Sequence, residues 1–324
     1  MHAGYAIRAP KESELPAVVH AVNEAARSHD PTAAARTDDE FRHVWAQLDT
    51  ADDVRVVTGP GGAVCGYAEL SAAAAGGRIF ADAYTHPAHL GAGIGTALLR
   101  WMEARAAEMA PGVPAAGDAA PVALVNHVLL DGAADRMLRA RGYSRTRIHL
   151  RMRMALGGPA VAPVWPDGVG LRACDGTPED LRRVHACVEE AFGDHWGRVS
   201  RSYEQWAGDL LHDGFDPALW LVAERRGRIV GAALCREREV EGHVAGEVGQ
   251  LGVRREARRL GLGRALLLAS FALFAERGAG SVGLDVDSES LTGAHLLYER
   301  AGMVTTAGIG RFELELPVAD GARR

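Results

Sequence analysis

The feature that most constrains this chain is that it repeats itself. Ile7-Arg8-Ala9 returns as Leu171-Arg172-Ala173, each followed by acidic residues and an amphipathic run. Val64-Cys65-Gly66 is matched by Val230-Gly231 after a turn, Gly93-Ile94-Gly95 by Gly261-Leu262-Gly263, and Arg141-Gly142-Tyr143 by Ala301-Gly302-Met303. The offsets stay between about 160 and 168 residues, drifting by a few positions as the loops of two copies would. A duplication of that period in 324 residues predicts two compact domains, each with its own core. Between them, Gly157-Gly158-Pro159 and Val164-Trp165-Pro166-Asp167-Gly168 interrupt any helix or strand. The expected division is residues 1–155, a linker at 156–168, and residues 169–324.

Each copy reads as strand, helix, apolar strands, a glycine loop, a long helix, a strand, a short helix and a final strand. In the second copy the pattern predicts strands at 169–172, 219–225, 228–236, 247–253 and 281–286, with helices at 178–192 and 263–277. Leu266, Leu267, Ser270, Phe271 and Phe274 share one face of the second of these helices. Strands and helices mixed around one sheet predict an α/β (α+β layered) domain in tandem.

Composition removes other classes. The formal charge of −6 argues against a nucleic-acid binder, which needs a net or clustered positive face. The basic stretch 145–153 alternates Arg147, His149, Arg151 and Arg153 with Ile148, Leu150, Met152 and Met154. That alternation predicts a strand with one wet face; a phosphate-binding stripe is the other reading. Cys65, Cys174, Cys187 and Cys235 show neither CxxC spacing nor an adjacent histidine cluster, so reduced, mostly buried thiols and no metal are expected. With no basic start leading into a long apolar run, and no stretch of eighteen apolar residues, neither export nor a membrane is expected, and the cytoplasm is the expected location.

Gly261-Leu262-Gly263 stands between an apolar strand and an amphipathic helix. A strand feeding a tight glycine turn aims backbone N–H groups and a helix N-terminus at one point, which suits a pyrophosphate. The triplet alone is weak evidence, because 39 glycines generate about five such triplets by chance. Its context adds Arg254, Arg255, Arg258 and Arg259 just upstream; a solvated basic helix start remains the plainer reading. A Walker-type loop is excluded because Arg264-Ala265 follows, and a dinucleotide loop because Leu266 stands where its third glycine belongs.

Arg258-x-x-Gly261-x-Gly263 before a Leu-rich helix resembles the Gln/Arg-x-x-Gly-x-Gly/Ala motif of the Gcn5-related N-acetyltransferases (GNAT). Downstream, Leu284-Asp285-Val286 leads to Ala294-His295-Leu296-Leu297-Tyr298-Glu299-Arg300-Ala301-Gly302-Met303. That run is similar to the family's closing Ala-x-x-Leu-Tyr-x-x-x-Gly-Phe. The resemblance covers nearly the whole chain, twice, and tandem copies are similar to two-domain acetyltransferases of the mycothiol synthase kind.

The resemblance implies tandem GNAT-like domains, each a mixed, mostly antiparallel sheet flanked by helices, and acetyl-CoA as co-substrate. It implies that Leu251, Gly252 and Val253 pair with the pantetheine arm. Arg258, Arg259, Leu260, Gly261, Leu262, Gly263 and Arg264 would then surround the pyrophosphate. Ser290 stands where the family commonly has Asn, which puts that pantetheine contact in doubt. In the first copy the corresponding positions are Ala83, Tyr84, Thr85, Gly91, Gly93, Ile94 and Gly95.

Acetyl transfer to an amine needs a neutral nucleophile, a stabilised oxyanion and a proton for the leaving thiolate. Tyr298 matches the family's tyrosine near the sulfur and is the expected general acid; a helix tyrosine packing its ring is the plainer alternative. Glu247, at the start of the strand bordering the slot, is the expected base, or else an exposed strand-end carboxylate. Asp285 and Asp287 are weaker candidates. Asp194, His195 and Trp196 follow the first helix of this copy, where the family often shapes its acceptor pocket; a packed corner is the alternative. The first copy has Leu90 opposite Arg258 and Leu138 opposite Tyr298. It is therefore expected to be non-catalytic, its glycines serving either a bound coenzyme or the turn alone.

The expected function is transfer of an acetyl group from acetyl-CoA to a primary amine of a small molecule, directly within a ternary complex. The expected assembly is a monomer, its two domains forming a pseudo-dimer, or a homodimer. Alternatives are acetylation of a pseudodisaccharide thiol precursor, as by mycothiol synthase, and a non-catalytic acyl-CoA-binding or self-immunity module.

Overall fold

The structure, a computed structural model, describes residues 1–30, 33, 35–73, 75–114, 121–158, 161–193, 200–211, 215–240, 242–290 and 293–317. Its contacts divide the chain into two compact units. Unit 1 is Met1–Ile148 with Ile309–Arg324, and unit 2 is His149–Gly308.

Unit 1 contains β1 (Ala6–Arg8), α1 (Leu15–His29), α2 (Asp38–Ala46), β2 (Val54–Thr58), β3 (Val64–Ala72), β4 (Arg78–Thr85), α3 (Ile94–Met109), β5 (Ala123–Leu129) and α4 (Ala133–Ala140). β6 (Ser144–Ala155) then carries the chain into unit 2. There follow β7 (Val169–Ala173), α5 (Pro178–Phe192), α6 (Tyr203–Leu210), β8 (Trp220–Arg225), β9 (Arg228–Val240), β10 (His243–Val253), α7 (Leu262–Glu276), β11 (Ser281–Asp287), α8 (Ala294–Arg300) and β12 (Val304–Glu315).

Each sheet is mixed. In unit 1, β1 to β4 run antiparallel in order, β4 pairs parallel with β5, and β5 pairs antiparallel with residues 309–315 of β12. In unit 2 the same pattern is β7 to β10 antiparallel, β10 parallel to β11, and β11 antiparallel to residues 149–155 of β6. The last strand of each sheet is thus supplied by the other copy's sequence.

The division therefore differs from the expected one. No Pro or Gly interrupts β6, so its second half goes on to pair from His149↔Asp287 to Ala155↔Ser281. The segment expected as a linker begins inside unit 2, where Leu156 N–H bonds the Gly280 carbonyl at 2.9 Å. β9 and β10 also extend beyond the expected strands, to Val240 and back to His243.

The opening repeat folds into a repeated clasp. Arg8 donates to the Ala9 carbonyl at 3.0 Å and to both oxygens of Glu14; Arg172 donates to the Ala173 carbonyl at 3.0 Å and to both oxygens of Asp180. Thr177 caps α5 by accepting from Asp180 N–H at 3.2 Å. The Arg8 guanidinium lowers the Glu14 pKa to about 2, and Arg172 does the same to Asp180. The core of unit 2 packs Leu266, Leu267, Phe271 and Phe274 of α7 and Val184 and Val188 of α5 against the sheet. The four cysteines are free and buried.

Candidate functional site

The site in unit 2 is built on a fork. β10 pairs with β9 along its length, but its parallel pairing with β11 stops at Glu247↔Gly283. Beyond that point β11 follows β6, and the edge of residues 248–253 on that side carries no strand among the described residues. The register between β9 and β10 slips between Val248 and Gln250, leaving Gly249 as an extra residue in a bulge. A bulge turns backbone groups out of the ladder. Sequence reasoning missed it; Gly249 is a weak signal, since it is one of three glycines, at 246, 249 and 252, inside this strand.

At the far end of β10, Arg259 (φ 64°) and Gly261 (φ 85°) adopt left-handed backbone, and α7 begins at Leu262. A Cβ at Gly261 would meet nothing, but that φ strains any other residue. None of the N–H groups from Arg259 to Arg264 has a backbone acceptor among the described residues. Six successive donors and the positive end of a fifteen-residue helix form a cradle for an anion with several oxygens, as a diphosphate has.

Arg258 is tied to the backbone at the end of β10. Its guanidinium bonds the carbonyls of Val253 at 3.1 Å and Ala191 at 2.8 Å, tying the end of β10 to α5. Arg254 is likewise occupied, bonding the Ile229 carbonyl at 2.8 Å and Glu190. Arg259 is exposed and Arg264 half-buried at the cradle. Leu251 and Val253 face α7, whereas Gly252 lies under α5, where a Cβ would stand 3.0 Å from Ala191 Cβ. Ser290 lies in a turn, its N–H on the Asp287 carbonyl at 3.1 Å.

Tyr298 is 7% exposed in the core of unit 2, and burial pushes its phenol up to about 12. It therefore stays protonated throughout the physiological range. Glu247 is held by Arg236 and, at 3.0 Å, by Arg238. Burial raises its pKa, but the two guanidinium groups outweigh that, so the carboxyl lies below its ordinary value and is anionic. One row along β10, Gln250 has a buried Oε1 without a partner among the described residues. Asp285 is 50% exposed and paired with Arg151 at 3.2 Å. Asp194, His195 and Trp196 lie outside the described residues.

Unit 1 repeats the frame. β4 and β5 part after Ala81↔Asn126, Gly91 and Gly93 are left-handed, and α3 starts at Ile94. The β3–β4 ladder has no register shift. A Cβ at Gly95 would stand 3.8 Å from Met137, just as one at Gly263 would stand 3.9 Å from Leu297. This shared contact puts buried Leu138 in the place of Tyr298. The turn itself is engaged by the chain: the Ala92 carbonyl accepts from His2 N–H at 3.0 Å, and a Cβ at Gly93 would meet the Met1 backbone at 3.1 Å. Of the strand residues expected at a coenzyme, Ala83 is exposed while Tyr84 and Thr85 are half-buried. Tyr84 is raised by the charge of Asp82 and by burial.

The model of the acetyltransferase (GNAT) family matches residues 18–116 and 181–303. The chain belongs to the GNAT family. The two matched segments fall on the two copies, so this is a tandem GNAT protein and an acetyltransferase, in a family that uses a coenzyme A-derived acyl donor. It is 33% identical over 249 residues to a mycothiol acetyltransferase of Thermomonospora curvata, covering 76% of this chain and 77% of that one. It is 38% identical over 173 residues to a mycothiol acetyltransferase of Thermobispora bispora, where the match spans 52% of this chain and 58% of the relative. A crystal structure of a GCN5-related N-acetyltransferase from Sphaerobacter thermophilus superposes with a TM-score of 0.78 at 30% identity, covering 99% of both chains. No described helix of this GNAT protein is long and apolar enough to cross a membrane.

Proposed function

We propose that unit 2 transfers an acetyl group from acetyl-CoA to a primary amine of a small molecule, directly within a ternary complex, and that unit 1 does no transfer. The observation that carries this reading is the run of six open N–H groups from Arg259 to Arg264 beside an unpaired strand edge. The cradle fits the diphosphate, and the free edge of residues 248–253 fits the pantetheine amides as an added strand. Arg258 acts from behind, holding β10 against α5, while Arg259 and Arg264 supply charge.

In the chemistry, the amine nitrogen bonds the thioester carbonyl carbon, and the C–S bond breaks. Tyr298 O–H donates to the sulfur as it leaves, and its high pKa keeps that proton in place until then. The amine loses its proton to Glu247, directly or through water. Arg236 and Arg238 keep Glu247 ready as an anion but weaken it as a base, so most of the acceleration comes from holding both reactants together.

A second reading is favoured by the mycothiol acetyltransferases at 33% and 38% identity: the acceptor is the amine of a pseudodisaccharide thiol precursor. The test is acetylation of that precursor and of a panel of simple amines, by wild type and Tyr298→Phe. Turnover lost in Tyr298→Phe with acetyl-CoA binding retained supports the mechanism. Binding without turnover in wild type would leave a non-catalytic acyl-CoA-binding module instead.

A further inference from the structure

On the face of the unit 2 sheet away from α7, side chains stand in rows fixed by strand register. Arg236 of β9, Glu247 of β10, Gly283 of β11 and Arg153 of β6 are successive partners. A Cβ at Gly246 would run into Phe274 of α7 at 2.4 Å; alternation along β10 therefore puts Glu247 and its row on the opposite face. In this neighbourhood Arg236 and Arg238 are answered by Glu247, and Arg151 by Asp285.

Arg153 is not answered. It makes no ion pair or hydrogen bond among the described residues, and its Nε is buried without an acceptor. Gly283 leaves a notch in the row, and the arginine leans across it: a Cβ there would stand 3.5 Å from Arg153 Cγ and 3.8 Å from Nη1. The guanidinium therefore sits at the vertex where β10 and β11 part. Leaving a half-buried cationic donor unmatched costs stability.

The duplication supplies a control. Glu313, opposite Val125 in unit 1 as Arg153 is opposite Gly283, is fully engaged. It pairs with Arg78 at 3.2 Å and Arg311 at 2.8 Å, and accepts from Thr146 at 3.4 Å. Phe80, in the place of Glu247, stacks on His127 and lies under Arg311. Unit 1 closes this row with its own side chains; unit 2 leaves it open. Gln250 Oε1, one row on and also buried, lacks a donor among the described residues. A cationic donor and a neutral acceptor, both unmatched at one fork, fit a ligand that carries an oxyanion and an N–H.

We propose that the acceptor amine carries a carboxylate or phosphate bound by Arg153, which makes Arg153 the residue that selects acidic amines over neutral ones. The proposal rests on the acceptor amine lying at this fork. A planar guanidinium suits either oxyanion, through charge-assisted and bidentate hydrogen bonds.

The test uses the full chain saturated with coenzyme A, so that the α7 cradle is filled. Inorganic phosphate is titrated in one arm and glutarate in the other, into wild type, Arg153→Leu and Arg153→Lys. Acetylation of glucosamine 6-phosphate and of glucosamine is compared in parallel. At least one anion is expected to bind wild type at one site, about ten- to a hundredfold more weakly in Arg153→Leu and with partial recovery in Arg153→Lys. The arm that binds identifies the oxyanion. Unchanged acetyl-CoA affinity shows that the variants are folded. The proposal is overturned if neither anion binds, or if both bind equally well without the guanidinium. Failure of acetyl-CoA to bind would instead remove the acetyltransferase reading of unit 2, and the loss of anion binding on replacing Arg153 can be read without it.

Discussion

Unit 1 and unit 2 share the fork, the left-handed glycine before the long helix and the contact from that turn to the short helix, yet they differ in which charged side chains at the fork are paired. In unit 2 the turn presents six open N–H groups, and Arg153 and Gln250 have buried atoms without partners. In unit 1 five of the six corresponding N–H groups also lack a backbone acceptor among the described residues, but the turn packs against the Met1–His2 backbone, Glu313 is fully paired and Phe80 fills its row. Near the unit 1 fork Glu69 stands directly opposite Asp82, where burial raises both carboxyls and Arg36 offsets them only in part. Duplication preserved the frame because the frame is packing. What separates the copies is which groups were left for a ligand to satisfy.

The largest expected effect is at Tyr298. Removing its hydroxyl in Tyr298→Phe should lower kcat about a hundred- to a thousandfold, with acetyl-CoA affinity unchanged by calorimetry. Leu138→Tyr should not restore turnover, because the Met1–His2 backbone lies against the unit 1 turn; recovered activity would break the comparison. Since the phenol must be protonated and its pKa is about 12, no alkaline loss attributable to Tyr298 should appear below about pH 11.

Next comes the clasp. Asp180 is depressed to about 2, so its stabilisation is present above its unfolded value of 3.8 and is lost as pH falls through about 2. Asp180→Asn should cost about 2 kcal/mol at pH 7 and flatten the acid limb of stability, as measured by urea unfolding between pH 7 and 2. Glu14→Gln in unit 1 should cost less, because Arg8 is more exposed than Arg172, with 35% against 31% of the side chain accessible, and Glu14 more exposed than Asp180, with 18% against 3%.

Glu247→Gln should lower kcat/KM about tenfold, and no acid loss attributable to Glu247 should appear above its ordinary carboxylate value, because its pKa is lowered. The smallest effect belongs to Arg259→Gly, which copies Gly91 of unit 1. Relief of a left-handed non-glycine residue should stabilise unit 2 by about 1 kcal/mol, while acetyl-CoA binds a few-fold more weakly. Unchanged binding would show that this charge does not reach the diphosphate.

Much of this was legible in the residues. Gly261-x-Gly263, the Leu-rich face of α7 and Tyr298 are local signals, and they fall where spacing and helical period put them. The repeat gave two copies, but not the exchange of their last strands, because pairing of residues 149–155 with β11 and of 309–315 with β5 is a contact across most of the chain. Arg258 was assigned to the ligand side of the loop; only the fold reveals that two carbonyls, at Val253 and Ala191, claim it. Arg153 read as one member of a wet strand face, and its isolation is visible only once Gly283 stands beside it.

Calorimetric titration of acetyl-CoA into wild type and Gly263→Asp probes the cradle most directly. A Cβ there meets only ordinary contacts at 3.8 to 3.9 Å, and an acidic residue in the first turn favours the helix, so the variant should fold with an undiminished Tm. A carboxylate among the open N–H groups should weaken acetyl-CoA at least about a hundredfold, whereas Gly95→Asp in unit 1 leaves that site intact. Equal affinity for wild type and Gly263→Asp would contradict the account.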